Sequence, residues 1–411
     1  MVDIAATCLV ITALLAWLNK RFIGLPTSIG VMAASMLLSL FAMALDVGGL
    51  LHAPRASAED LARSVDFSDV VMQGMLSFLL FAGGVHVDVR ALRRFRGPVL
   101  ALAFASVVAS AAITGGLIAW LLPLVGVTLS VGYCFLFGAL ISPTDPIAVA
   151  GILRSSKAPK DVRVLIEGES LFNDGVGVAL FVLILEATSR GAAPSASHIG
   201  LVLLREAGGG IVFGLLLGWV THAFLSTVDQ YDVEVLITLA AVMGGYAFAQ
   251  DLHVSGPLAM AVAGVIVGHR TREEAMSETT RQYVDNFWEL IDAILNAVLF
   301  VLLGMGVLVI PFTGHLLMAG MLAAAATLAA RALTVGLPVA LGSPRAGLPA
   351  GAWKVLTWGG LRGGISVALA LSMPPGPARA TVLALTYCVV VFSVFVQGLT
   401  ISRVVRGAFD R

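Results

Sequence analysis

Along the chain, apolar runs of about 20 residues alternate with short polar segments, the length a helix needs to cross a bilayer core of about 30 Å. Thirteen spans are predicted, near 4–18, 26–45, 68–87, 98–122, 128–153, 162–187, 199–224, 232–250, 254–269, 286–310, 315–341, 353–373 and 378–402. The division of 232–269 rests on Ser255-Gly256-Pro257, a turn sequence inside an apolar stretch. An odd number of spans places the two termini on opposite sides. The expected fold is therefore an all-α membrane protein.

Composition supports the pattern. Of 411 residues, 58% are hydrophobic and 12% charged, with a mean hydropathy of +0.96, far beyond a soluble domain. The net charge is zero and gives no argument for nucleic acid, so membrane lipid is the expected environment. Lys and Arg are asymmetric: eighteen fall in or at the edges of the odd-numbered loops and C-terminal tail, against Arg55, Arg63, Arg190 and Arg379 in the even-numbered loops. The positive-inside rule then puts the N-terminus outside and the C-terminus in the cytoplasm of a cell (inner) membrane. The loop near 225–231 contributes no positive charge. Met1-Val2-Asp3 carries no basic residue, so the first span reads as an anchor rather than a cleavable signal. About ten residues follow the last span, too few for a cytosolic domain, and the longest loop, 46–67, is acidic and external. Cys8, Cys134 and Cys388 sit in apolar runs without metal-ligand spacing and read as packing residues. Gly210, Gly214 and Gly218 form a small-residue stripe suited to close helix packing.

Two spans are irregular. The fifth is interrupted by Ser142-Pro-Thr-Asp-Pro146, where the prolines remove backbone donors. The twelfth is interrupted by Gly359-Gly-Leu-Arg-Gly-Gly364. With spans 1–6 and 8–13 as two six-helix repeats of opposite orientation, each break is fifth in its repeat. Matched interruptions carrying Asp and Arg point to a transport site at mid-depth, although isolated kinks more often serve packing alone.

Asp145 lies in the first break and Asp174 on the next span. A charged residue at membrane depth costs about 2.5–3.5 kcal/mol on insertion scales, so it usually marks an ion or proton path. Glu167, Ser170 and Asp174 share one helical stripe, and Glu169 and Asn173 an adjacent one. Asp145, Asp174, Ser170 and freed carbonyls around Thr144 supply the hard oxygen ligands that a small cation takes. Burial disfavours a charged carboxylate while a bound cation favours it, so one acid can hold a proton or a metal ion in turn. Arg331 in span eleven and Arg362 at the second break need acidic or carbonyl partners. Glu169–Arg331 is the favoured structural pair, with Glu167 the other candidate acid, and Arg362 is expected to offset helix-end carbonyls.

Ile141-Ser-Pro-Thr-Asp-Pro-Ile-Ala-Val149, Glu167-Gly-Glu-Ser-Leu-Phe-Asn-Asp-Gly175 and Trp358-Gly-Gly-Leu-Arg-Gly-Gly-Ile365 together resemble NhaP-type sodium/proton antiporters, relatives of the eukaryotic sodium/hydrogen exchangers. Phe287-Trp-Glu-Leu-Ile-Asp292 and Ser255-Gly-Pro-Leu-Ala259 resemble family segments too. The resemblance implies crossed broken helices in spans 5 and 12 and a homodimer of thirteen-helix subunits. It implies a dimerising domain from 1–97 and 229–312, a connector over 189–228, and a transport domain from 98–188 and 313–411. It also implies Na+ (or Li+) exchange for H+ by alternating access, with Asp145 and Asp174 carrying the ions and no cofactor. Asn173 before Asp174 matches the electroneutral branch, implying one-for-one exchange, with Asn173 a hydrogen-bonding rather than a charged member of the site.

Potassium/proton exchange with the same ligands is the alternative. An intramembrane aspartyl protease is a remote one, since no Tyr-Asp or Gly-x-Gly-Asp pairing occurs, and Ser170 lacks a base for nucleophilic work. A passive channel would not need a titrating acid. Histidines such as His86 and His269 lie near span ends and are assigned no role.

Overall fold

A computed structural model describes residues 2–47, 74–145, 149, 153, 158–190, 200–202, 204–271, 276–306, 313–346 and 348–409. Among them the regular structure is entirely helical. Among the described residues, eight helices are long and apolar enough to cross a membrane, from Ala6–Ile23 to Pro377–Phe409, and Thr27–Phe41, Leu76–His86 and Val131–Ile141 are shorter apolar ones. Most of the 46–67 loop, Pro146, and the basic residues Arg154 and Lys157 lie outside the described residues.

The N-terminal part comprises α1 (Val2–Leu18), α2 (Thr27–Val47), α3 (Leu76–His86) and α4 (Ser106–Leu121). The first broken span begins with α5 (Val131–Ile141), and α6 (Lys160–Arg190) follows it. Next come α7 (Gly209–Leu225), α8 (Tyr231–Asp251), α9 (Gly256–Ile266), α10 (Glu278–Met305) and α11 (Gly314–Arg331). The second broken span is α12 (Ala352–Trp358) and α13 (Gly364–Ser372), before α14 (Pro377–Phe392).

Helix starts follow local chemistry. Ser255 caps α9 by accepting from the Leu258 amide at 3.4 Å, with Pro257 in the first turn. Thr313 caps α11 through the Leu316 amide at 3.3 Å. Ser277 caps α10 through the Thr280 amide at 3.3 Å, so α10 starts eight residues before its expected span at 286. The extra turns, Glu278-Thr-Thr-Arg-Gln-Tyr-Val-Asp285, are mostly polar and charged, with Thr280 and Val284 on one buried stripe. Amphipathic sequence of this kind makes a stable helix but fails a hydropathy criterion.

Buried side chains gather into two large clusters. One draws on α4, α5, α6 and α11 to α14, with Ile29, Met32, Phe300 and Leu303 joining from α2 and α10. The other draws on α3, α8, α9 and the first half of α10. The Gly210–Gly214–Gly218 stripe of α7 lies on α9: a Cβ on Gly210 would sit 2.8 Å from the Ser255 carbonyl oxygen, and one on Gly214 2.5 Å from that of Ala259. Its role within the subunit is close helix packing.

Candidate functional site

Helix α5 stops at Ile141, where the backbone leaves the helical path through Ser142, Pro143, Thr144 and Asp145. Helix α12 stops at Trp358, and the chain runs through Gly359–Gly363 before α13 begins. The two breaks touch: the Asp145 amide donates to the Leu361 carbonyl at 2.8 Å.

A broken helix exposes carbonyls with no intrahelical partner and a partial negative charge. Each break here meets that need with one buried arginine. Arg362 Nη1 donates to the carbonyls of Ser142 and, at 2.7 Å, of Pro143. Arg331 Nη2 donates to the Leu356 carbonyl near the end of α12 at 3.0 Å. Arg331 also grips Glu169 with both terminal nitrogens, the Nη2–Oε2 bond being 2.9 Å. Both partners are almost fully buried, which leaves breaking the pair costly because the survivor would be an uncompensated charge. Two groups not singled out from sequence complete the crossing. Ser393 accepts the Arg362 amide at 2.8 Å, and Gln397 Nε2 donates to the Trp358 carbonyl at 3.1 Å. Both sit on Ser393–Gly398, a π-helical continuation of α14.

The first break is also tied to α6. Asn173 Nδ2 donates to Thr144 Oγ1 at 2.8 Å, and Asn173 Oδ1 accepts from the Thr144 amide at 3.4 Å. Ser170 donates its hydroxyl hydrogen to the Thr144 carbonyl. Thr144, Ser170 and Asn173 thus meet at one point, each buried.

Beside this junction lies a cavity of about 470 Å³. Thr144 and Asp145 from the break, Glu167 and Asp174 from α6, and Gly363 to Ser366 at the start of α13 line it. The Asp145 carboxylate packs against Gly363 in space that a Cβ would occupy, next to the N-terminal end of α13, whose partial positive charge favours an anion. Asp174 is 4% exposed. Glu169, Arg331, Arg362, Ser170 and Asn173 stand behind this lining rather than in it.

The opposite wall was not anticipated. It comes from α3 with His86 and from α10 with Glu289, Asp292 and Asn296. The signal was present as an i, i+3, i+7 polar stripe in the otherwise apolar stretch from Phe287 to Met305. Among the described lining residues there are five carboxylates, Asp145, Glu167, Asp174, Glu289 and Asp292, and no Lys or Arg. Such a concave surface concentrates cations. The described residues hold no group of three or more His, Cys, Asp or Glu side chains around one metal position; the acids are spread along the cavity.

Where α6 emerges, Lys160 donates to Asp88 at 2.7 Å. That bond, with the Ala91 amide as a second donor, holds the Asp88 carboxyl below the usual carboxylate range.

Comparison with known proteins agrees with this geometry. A family profile described as "Sodium/hydrogen exchanger, transmembrane" matches residues 9–407. The chain is 47% identical to the Na(+)/H(+) antiporter NhaP of Pseudomonas aeruginosa, over 100% of this chain and 97% of that protein. It is 33% identical to the Na(+)/H(+) antiporter NhaH of Halobacillus dabanensis, covering 85% and 86% respectively. Its fold matches the sodium proton antiporter MjNhaP1 of Methanocaldococcus jannaschii with a TM-score of 0.78 at 20% identity, over 99% of this chain and 98% of that one. These relatives are transporters rather than enzymes.

Proposed function

Since the chain belongs to the sodium/hydrogen exchanger family, we propose that it exchanges Na+ (or Li+) for H+ across a cell membrane, one for one. The observation that carries this reading is the placement of Asp145 and Asp174 in the wall of one cavity, on two elements joined through Thr144. Among the described residues no side chain or amide donates a hydrogen bond to Asp174, which is 4% exposed. Its charge needs a counter-ion or a proton, and the two exclude each other. The Thr144 carbonyl at the lining, with the Ser170 hydroxyl hydrogen-bonded to it from behind, offers neutral oxygens for a dehydrated small cation. Asn173 holds the break in register and adds no charge, which supports a single exchanged charge.

The proposed architecture has thirteen spans in two inverted repeats whose fifth members cross at the breaks. The two buried clusters, with the cavity between their helices, support a transport domain (98–188, 313–411) moving against a dimerising domain (1–97, 229–312) in a homodimer. Glu289 and Glu167 enter their helices on the side that the positive-inside rule makes cytoplasmic, so the cavity is the inward mouth of an alternating-access path. The names of the relatives favour sodium over potassium and leave the protease reading without support.

The test is proton flux in proteoliposomes loaded at acid pH. Adding sodium or lithium alkalinises the lumen, potassium does so far less, and Asp174→Ala abolishes the response. An intact response in Asp174→Ala, or none in the wild type, refutes the proposal.

A further inference from the structure

The α10 wall of the cavity carries a polar ladder that the exchange mechanism does not use. Glu289, Asp292 and Asn296 stand at i, i+3 and i+7, with Ala293 and Ala297 next to them, and all five line the cavity. Solvation falls along the ladder: Glu289 is exposed, Asp292 half-buried and Asn296 4% exposed.

Asn296 is the informative member. Its Nδ2 donates to the Asp292 backbone carbonyl at 2.7 Å and to Asp292 Oδ1 at 3.0 Å. With the amino group so committed, the amide orientation is fixed, and Oδ1 is left buried without a hydrogen-bond partner. A buried acceptor without a donor is costly, and here it belongs to a residue that lines the cavity beside a carboxylate. An amide oxygen and a carboxylate oxygen are both hard donors of the kind that replace water around a small cation. Glu289, one turn further out, adds a charge where the cavity is still wet. A purely structural Asn296 would leave its Oδ1 unexplained, because Nδ2 alone makes both bonds to Asp292.

We propose that Asp292 and Asn296 Oδ1, with Glu289 outside them, form a second binding site for a monovalent cation, on the opposite wall from Asp145 and Asp174. The ion rests there, partly hydrated, before it moves to the Asp174 wall. Because the site lies on α10, away from the α5–α12 crossing, it stays behind when the Asp145–Asp174 site changes sides. Its effect is to raise the local cation concentration at the mouth rather than to set the exchange ratio.

Equilibrium binding of radioactive sodium to the purified full-length protein tests this without depending on transport. In the Asp145→Asn/Asp174→Asn double variant, weak sodium binding persists. Adding Asp292→Asn weakens it by about tenfold, the scale on which a charge at a concave wall changes local ion concentration. Adding Asn296→Ala instead, which removes the orphaned oxygen, weakens it as well. Loss of all sodium binding in the double variant, or residual binding that neither further substitution changes, overturns the proposal. In vesicles, the inference rests on the antiport reading: Asp292→Asn alone raises the sodium KM by several times more than it lowers kcat. A kcat loss at unchanged KM counts against the site. Wild-type protein that binds sodium but moves no protons would instead remove the antiport reading and leave the α10 site standing.

Discussion

Asn173 and Thr144 are joined by two reciprocal hydrogen bonds, side chain to side chain at 2.8 Å and backbone amide to side-chain oxygen at 3.4 Å. This clasp fixes the first helix break onto α6 and so sets where Asp145 stands relative to Asp174. Asn173→Ala leaves the buried Thr144 amide and hydroxyl without their partner. An unmade buried hydrogen bond costs about 1–3 kcal/mol, so the variant should unfold at lower temperature in detergent and bind sodium more weakly. Thermal unfolding of purified protein with and without sodium measures both; an unchanged midpoint would remove the clasp from the account.

Glu169 and Arg331 form the most deeply buried ion pair described, with the same guanidinium reaching the Leu356 carbonyl. Arg331→Met alone should destabilise by about 3–5 kcal/mol, because it strands a buried carboxylate. Glu169→Leu together with Arg331→Met should recover most of that loss. A double variant no better than the single one would show that the carboxylate needs something other than Arg331.

The helical spans were legible because lipid requires apolar runs of fixed length, and the two breaks because proline and glycine mark them. Of the stripe expected from helical period, Glu167 and Asp174 line the cavity, while Ser170 stands behind it. Which acid meets which arginine was not legible, since Glu167 and Glu169 lie two residues apart and only packing places Glu169 against Arg331 while Glu167 faces the cavity. The α10 acids were hidden for a related reason. Glu289 and Asp292 read as ordinary polar residues near a helix start until α3 and α6 are seen facing them. Gln397 gives no local sign that it serves the Trp358 carbonyl, 39 residues earlier in the chain.

Gly363 has extended backbone angles, φ −129° and ψ −156°, that any residue adopts. Its requirement is space, since an added Cβ would overlap the Asp145 carboxylate. Gly363→Ala should therefore fold and reach the membrane, yet lose sodium-driven proton flux by about tenfold or more, as small displacements of reacting groups do. Flux within twofold of wild type would mean that the Asp145 carboxylate can leave its place against α13 without cost.

Asp88 caps the short helix Val89–Arg94 and binds Lys160 at the start of α6. Its carboxyl titrates below the ordinary value of about 3.9 in the folded protein. A depressed folded-state pKa stabilises above the unfolded value, and the contribution disappears as pH falls through the folded value. Stability of the wild type should thus fall relative to Asp88→Asn as pH is lowered from about 5 through this range. The difference is small, because both side chains are solvent-exposed. Parallel pH profiles of the two proteins would contradict the assignment.

The central claim is that one proton and one sodium ion compete for the same carboxylate site. The most direct measurement is the sodium KM of exchange in proteoliposomes as a function of symmetric pH. Competition predicts that on the acid side KM rises about tenfold for each pH unit, while the maximal rate at saturating sodium stays level. A KM independent of pH, with the maximal rate alone falling as protons are added, would contradict a shared site at Asp145 and Asp174.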